Sequence, residues 1–161
     1  MKTIECRQIG IIHSPFKNPA GTPIQPAGAK GVEGKVEVFP DYQEGLEDLA
    51  GFSHIFLIYH FHLAKKTVLK VKPFLDDQTH GVFATRAPTR PNPIGLSVVR
   101  LIRIDDGNLY IQDIDMVDKT PLLDIKPYIP DFDVREVIKI GWLESKSKSV
   151  TKTSADGRFT R

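Results

Sequence analysis

Alternating apolar and polar positions run through most of the chain and predict strands rather than helices. The predicted strands are residues 4–13, 34–39, 54–62, 67–71, 82–84, 94–104, 109–116 and 134–140. A helix is predicted only for residues 41–51, "DYQEGLEDLAG", where two leucines share a face and a glycine could end the helix. Many short strands favour a closed sheet, because closure removes unpaired edges. The predicted fold is mainly β, a single-sheeted β-barrel with minor short helices.

Three proline-punctuated segments interrupt this pattern. Residues 14–34 and 118–133 are predicted as long ordered loops. The third segment, "ATRAPTRPNPIG" (84–95), joins two predicted strands and carries Arg86 and Arg90 together with three prolines. Proline restricts the backbone, so these guanidinium groups would be held near one geometry before a ligand arrives. A tight surface connection with solvated arginines is the alternative.

Composition indicates one ordinary globular domain. The chain has 161 residues, 40% of them hydrophobic and 26% charged. We expect the barrel domain to occupy residues 1–144. Residues 145–161 form a basic tail, with five Lys and Arg residues against one Asp, that we expect to be mobile. The apolar runs are too short for a signal peptide or a membrane span, and Cys6 has no partner cysteine, so a cytoplasmic location is expected.

Several polar clusters could carry chemistry, and none matches a Rossmann or P-loop motif. His60 and His62 would share a strand face, but no third ligand is evident, so no metal site is predicted; a metallohydrolase stays an alternative. Asp113 and Asp115 share a face near the turn "DKTP" (118–121), and solvation is the simplest interpretation of each carboxylate. The backbone groups and hydroxyl of this turn could instead hold the polar edge of a small molecule.

The segments "IGIIHSPF", "PIQPAG", "LAGFSHIFLIYHFH", "GVFATRAPTRPNPIGLSVV" and "DMVDKTPLLDIKPYIP" resemble, in this order, the signature blocks of the TsaA/TrmO family. They cover most of residues 9–130. The resemblance implies a single-sheeted β-barrel that binds S-adenosylmethionine, usually as a homodimer. It also implies methylation of the exocyclic nitrogen of threonylcarbamoyladenosine, beside the anticodon of threonine tRNA.

The resemblance also implies particular site residues. The implied cofactor-binding residues are Gln25, Pro26, His62, Leu63, Arg86, Leu96, Asp118, Lys119, Thr120 and Pro121. Arg90 and Asn92 are assigned to substrate binding, although cofactor binding or loop structure would also suit them. Asp118 and His62 are the candidates for the catalytic base that removes the acceptor proton.

The chain also departs from the bacterial members of the family. Ile24 and His13 stand where those members have Arg, and a short tail replaces a C-terminal extension. These departures concern tRNA recognition more than cofactor binding. A non-catalytic cofactor-binding or RNA-binding module and a small-molecule methyltransferase are therefore alternatives.

Overall fold

Six antiparallel strands close into a barrel in the computed structural model, which describes residues 2–144, 146, 153–156 and 158–159. In chain order the barrel strands are β1 (Gly10–His13), β2 (Glu33–Val38), β3 (His54–His60), β6 (Ile94–Asp105), β7 (Asn108–Gln112) and β8 (Thr120–Pro127). Around the barrel they follow the order β1-β2-β7-β6-β3-β8, and β8 pairs with β1 to close the ring. Strands β4 (Lys70–Val71) and β5 (His80–Gly81) form a separate small sheet. The predicted β-barrel is therefore confirmed.

The barrel interior follows from the alternation that the sequence shows. On β3, Ile55, Leu57 and Tyr59 point inward and are at most 5% exposed. On β6, Val99 and Leu101 continue the same core. Inward residues of a small barrel fill its centre, so the interior is a packed core and a cavity can form only at an end.

Helical structure is limited to short segments. The predicted helix at 41–51 is two 3₁₀ segments, Pro40–Leu46 and Leu49–Gly51, separated by Asp48 with a φ of 61°. Further 3₁₀ segments are Pro26–Gly28, Val82–Ala84 and Gly141–Leu143, and the α-helix α1 is the single turn Pro130–Asp133. No helix among the described residues has the length and apolar character needed to cross a membrane.

Strand β8 corrects the prediction of a long loop at residues 118–133. Of the three prolines that suggested a loop, Pro121 and Pro127 lie at the ends of this strand, where a missing N–H costs least, and Pro130 begins α1. Between them Leu122 is fully buried and pairs with Gly10 of β1 and Tyr59 of β3. The sequence analysis therefore missed the strand that closes the barrel, because the prolines at its ends were interpreted as loop residues.

Other strand predictions were wrong in part. Residues 82–84 form a 3₁₀ turn rather than a strand. Residues 134–140 belong to no described strand, and their apolar side chains are exposed. Strands β1 and β4 are shorter than predicted, and β7 ends at Gln112 because Asp113 has a φ of 70°.

Part of the C-terminal tail lies against the barrel domain. The Ala155 carbonyl accepts a bond from the Gly21 N–H at 2.7 Å, and the Ala155 N–H donates to the Thr22 carbonyl at 2.8 Å. Lys146 pairs with Asp76 at 2.6 Å. Mobility was expected for the whole tail, and its residues 145, 147–152, 157, 160 and 161 lie outside the described residues. The domain boundary at residue 144 stays a prediction.

Candidate functional site

A cavity of about 570 Å³ opens at one end of the barrel. Its wall combines the end of β3, the start of β6, the segment that leads into β8, and the two loops 14–32 and 85–93. Ala155 and Phe159 of the tail also line it. This volume lies in the range of small-molecule and cofactor sites.

The arginine-bearing loop forms one side of the cavity, and its two arginines do different things. Arg86 donates from Nη1 to Oε1 of Gln25 at 2.7 Å, which joins the two loops across the cavity wall. Arg90 donates to the Thr85 carbonyl at 3.2 Å, inside its own loop. Thr85 in turn donates to the Val82 carbonyl at 2.8 Å. Arg86 is thus turned toward another element, whereas Arg90 supports the shape of its loop while also lining the cavity.

The strand ends supply further predicted residues. His62, Leu63, Leu96 and Asn92 all line the cavity. Leu63 and Leu96 are 37% and 53% exposed, so they offer apolar surface to a ligand. Burial lowers the pKa of His62, which keeps its imidazole neutral near pH 7.

The turn 118–121 is divided between the cavity and its support. Thr120 lines the cavity, whereas Asp118, Lys119, Pro121 and also Pro26 are not among its lining residues. Asp118 accepts from the Ser14 N–H at 3.0 Å and from Lys17 Nζ at 2.7 Å. Burial alone would raise the pKa of Asp118, but these bonds and the charge of Lys17 hold it below its ordinary value. Asp118 therefore connects the turn to the loop that follows β1.

The sequence analysis missed a network of hydrogen-bonded side chains in the cavity wall. Ser97 Oγ donates to Asp115 Oδ1 at 2.8 Å, and the Tyr59 hydroxyl lies 3.1 Å from the same Ser97 oxygen. Burial raises the pKa of Asp115 to about 6, although the Ser97 bond and the charge of Arg86 oppose the rise. Burial and the Asp115 charge also raise the pKa of Tyr59.

The sequence did contain an indication of this hydrogen-bonded network. Ser97 occupies an inward position of β6, between Gly95 and Val99, and a buried hydroxyl requires a partner. Asp113, which was grouped with Asp115, instead accepts from the Gly31 N–H at 2.7 Å. A Cβ at Gly95 would collide with the ring of Tyr59, so the phenol lies directly on the β6 backbone.

Metal chemistry has no evident support in the part of the chain that the structure describes. No group of three or more His, Cys, Asp or Glu side chains there is placed to hold a metal ion.

The fold and the cavity define a β-barrel protein with a small-molecule-sized pocket at one end of its single sheet. Residues 11–134 match the model of the tRNA-methyltransferase O N-terminal domain, and the chain belongs to this family. The resemblance seen in the sequence is thereby confirmed.

Relatives and solved structures agree with this membership. A probable S-adenosyl-L-methionine-binding protein of Pyrococcus abyssi is 60% identical over 95% of this chain and 83% of its own length. A mouse tRNA (adenine(37)-N6)-methyltransferase is 38% identical over 78% of this chain and 31% of its own length. The crystal structure of TrmO from Pseudomonas aeruginosa superposes with a TM-score of 0.73 at 39% identity, covering 88% of this chain. This chain spans 63% of that crystallised chain.

Proposed function

We propose that this protein is an S-adenosylmethionine-dependent methyltransferase that modifies the exocyclic nitrogen of threonylcarbamoyladenosine beside the anticodon of threonine tRNA. Family membership supports the reaction class. The observation that carries the proposal is the cavity at the barrel end, which Arg86, His62 and Asp115 all line. A cation, a neutral imidazole and a carboxylate there can both hold a charged ligand and accept a proton.

The residues present fit S-adenosylmethionine. Leu63 and Leu96 provide apolar surface for a nucleoside ring, and Asp115 offers a carboxylate to cationic groups. Arg86 offers a guanidinium to a carboxylate, which it can bind through charge-assisted hydrogen bonds. Gln25, His62 and Thr120 complete the polar lining. Pro26, Asp118, Lys119 and Pro121 flank lining residues and would act by positioning them.

In this reaction the protein would align the methyl donor with the acceptor nitrogen and remove a proton from that nitrogen. The cofactor, when bound, supplies a methyl group made electrophilic by its sulfonium. In such a transfer the lone pair of the acceptor nitrogen would become the new N–C bond, and the electrons of the broken C–S bond would stay on the sulfur. Arg86 and the apolar wall would hold the reacting groups in line. The acceptor nitrogen also loses a proton, which a side chain in the cavity must receive.

Geometry favours Asp115 as the proton acceptor. Its carboxylate lines the cavity, and its pKa of about 6 leaves it ionised yet basic near neutral pH. His62 also lines the cavity, and its lowered pKa leaves the imidazole neutral and able to accept a proton. It is the second candidate. Asp118 is engaged by Ser14 and Lys17, so we assign it to positioning the turn.

The protein is also proposed to act as a homodimer. Val134, Val137, Ile138 and Ile140 are 45% to 87% exposed along one segment. Exposed apolar stretches of this kind mark interaction surfaces. Sedimentation of wild type and Ile138→Asp tests this: a dimer that becomes a monomer supports the proposal, and a monomeric wild type contradicts it.

One incubation tests the activity directly. The protein is mixed with labelled S-adenosylmethionine and total tRNA, and the digested nucleosides are identified by mass spectrometry. Methylated threonylcarbamoyladenosine is the expected product. The Pyrococcus abyssi relative is named only as a probable S-adenosyl-L-methionine-binding protein, so a non-catalytic cofactor-binding module is the second candidate. Calorimetric binding of S-adenosylmethionine without any methylated nucleoside would favour that candidate.

A further inference from the structure

A second cavity of about 480 Å³ lies beside the first. The two cavities share a wall that includes Gln25, Thr85 and Arg86. The Arg86–Gln25 hydrogen bond of 2.7 Å therefore belongs to the boundary between them. Trp142 and Ala84 line the second cavity but not the first.

A group transfer between two molecules needs two adjoining spaces. The first cavity, at about 570 Å³, is of the size that holds one cofactor. The acceptor atom must approach the transferred group to about 3 Å along one line. An acceptor bound in a separate cavity can meet this requirement only where the two cavities share a wall, as they do at Arg86.

An indole ring whose orientation is fixed by two contacts lines the second cavity. Trp142 stacks on His80 with ring centroids 4.6 Å apart and an angle of 20° between the planes. Its indole N–H donates to the Ala84 carbonyl at 2.8 Å, so the ring is fixed on two sides. Phe83, at the rim, is 75% exposed. Proteins that bind single-stranded nucleic acid stack unpaired bases on such aromatic side chains.

The charges around this cavity favour recognition of a base over recognition of a phosphate. Lys146 pairs with Asp76 at 2.6 Å, and Lys72 pairs with Asp77 at 3.0 Å. Arg158 pairs with Asp156 at 2.6 Å and also donates to the Pro73 carbonyl in the cavity lining. Each of these cations already faces a carboxylate, so stacking and the polar edge of Thr85, Gln25 and Arg86 are left to recognise the ligand.

We propose that the second cavity binds the methyl-acceptor nucleoside, a purine turned out of a single-stranded RNA loop. Its base lies against Trp142 and Phe83, and its exocyclic nitrogen reaches the first cavity past Arg86. This inference rests on the proposed methyltransferase function. It adds an acceptor site in the second cavity, which shares Gln25 and Arg86 with the wall of the cofactor cavity.

Two variants test the acceptor site. Trp142→Ala removes the stacking surface, and Ala84→Leu fills the cavity at an exposed position where the fold should tolerate a larger side chain. The probe is an anticodon stem-loop RNA with 2-aminopurine beside the anticodon, whose fluorescence is quenched when the base stacks. Each variant is expected to weaken RNA binding about 5- to 150-fold, the range for one lost base–aromatic stack. Calorimetry should give an unchanged dissociation constant for S-adenosylmethionine in both variants.

Phe132→Ala is the matched control, because Phe132 is an aromatic residue with 65% exposure that lines neither cavity. It should bind the RNA like the wild type. Wild-type RNA affinity in both cavity variants would overturn the inference, and so would an equal loss in the control or a parallel loss of cofactor binding. If the wild type binds and quenches the probe but methylates no tRNA, the proposed function fails while the binding site stands.

Discussion

Asp115 and Asp118 lie three residues apart at the same end of the barrel, yet their surroundings shift the pKa values of the two carboxyl groups in opposite directions. Asp115 faces the cavity, is bonded to Ser97, and has its pKa raised to about 6 by burial. Asp118 faces the loop after β1, where the Ser14 N–H and Lys17 keep its pKa low. The same residue type in one segment is therefore proposed to serve two purposes: Asp115 is the candidate proton acceptor, and Asp118 joins the turn to the loop after β1.

The largest expected effect comes from Asp115→Asn. We expect turnover to fall by about 100-fold or more, the contribution of a positioned general base. The wild-type turnover should rise with pH through about 6 as Asp115 loses its proton, and the variant should lack this step. Single-turnover rates measured from pH 5 to pH 8 check both outcomes. An unchanged rate in Asp115→Asn would make the two carboxylates equivalent and remove the assignment.

Stability should depend on pH in opposite directions at the two residues. Asp115 has a folded pKa of about 6, above the unfolded value of roughly 3.9. Its contribution is therefore present at low pH and is lost as pH rises through about 6. At pH 7 the ionised Asp115 should cost about 3 kcal/mol of unfolding free energy, and Asp115→Asn should recover much of it. Urea unfolding of both proteins from pH 4 to pH 7 measures the difference, and parallel curves would contradict it.

Arg86→Ala should sharpen the contrast, because the charge of Arg86 lowers the pKa of Asp115. We expect S-adenosylmethionine binding to weaken by about 1 to 3 kcal/mol, the loss of a charge-assisted hydrogen bond. The pH at which turnover rises should also move upward. Calorimetry gives the affinity, with Arg103→Ala on the far part of β6 as the control. An unaltered dissociation constant would exclude Arg86 from the cofactor site.

The smallest effect is expected for Asp118→Asn. The amide can still accept from Ser14, but it loses the ion pair with Lys17, whose side chain is 68% exposed. Solvent screening limits that pair, so we expect a loss of about 1 kcal/mol in unfolding free energy at pH 7. Because the folded pKa of Asp118 lies below its unfolded value of roughly 3.9, this loss should shrink below that pH and disappear as the pH falls through the folded pKa. A fall in turnover comparable to that of Asp115→Asn, at unchanged stability, would reverse the two roles.

The sequence predicted the barrel well where burial and alternation coincide. On β3 and β6 the side chains alternate regularly between core and solvent, so the period was visible. On β8, prolines at both ends outweighed the alternation between them. Residues 134–140 have strand propensity but form no described strand, because propensity without a partner does not make a sheet.

The site was predictable in its parts but not in its assembly. Arg86, His62 and Thr120 come from three segments far apart in the chain, and family resemblance placed them together. Asp115 was set aside because solvation is the usual fate of a carboxylate. The hydrogen bond from the inward Ser97 and the place in the cavity lining distinguish Asp115 from Asp113, whose carboxylate accepts from the Gly31 N–H.

The absence of a side chain at Gly95 makes room for the hydrogen-bonded arrangement of Tyr59, Ser97 and Asp115. The phenol of Tyr59 rests against that bare backbone, and its hydroxyl completes the contact with Ser97. A methyl group at this position would displace the Tyr59 ring and disturb the hydrogen bonds that connect Tyr59, Ser97 and Asp115, without altering any charge or any donor. A residue without a side chain thus determines where an aromatic ring of the cavity wall can lie.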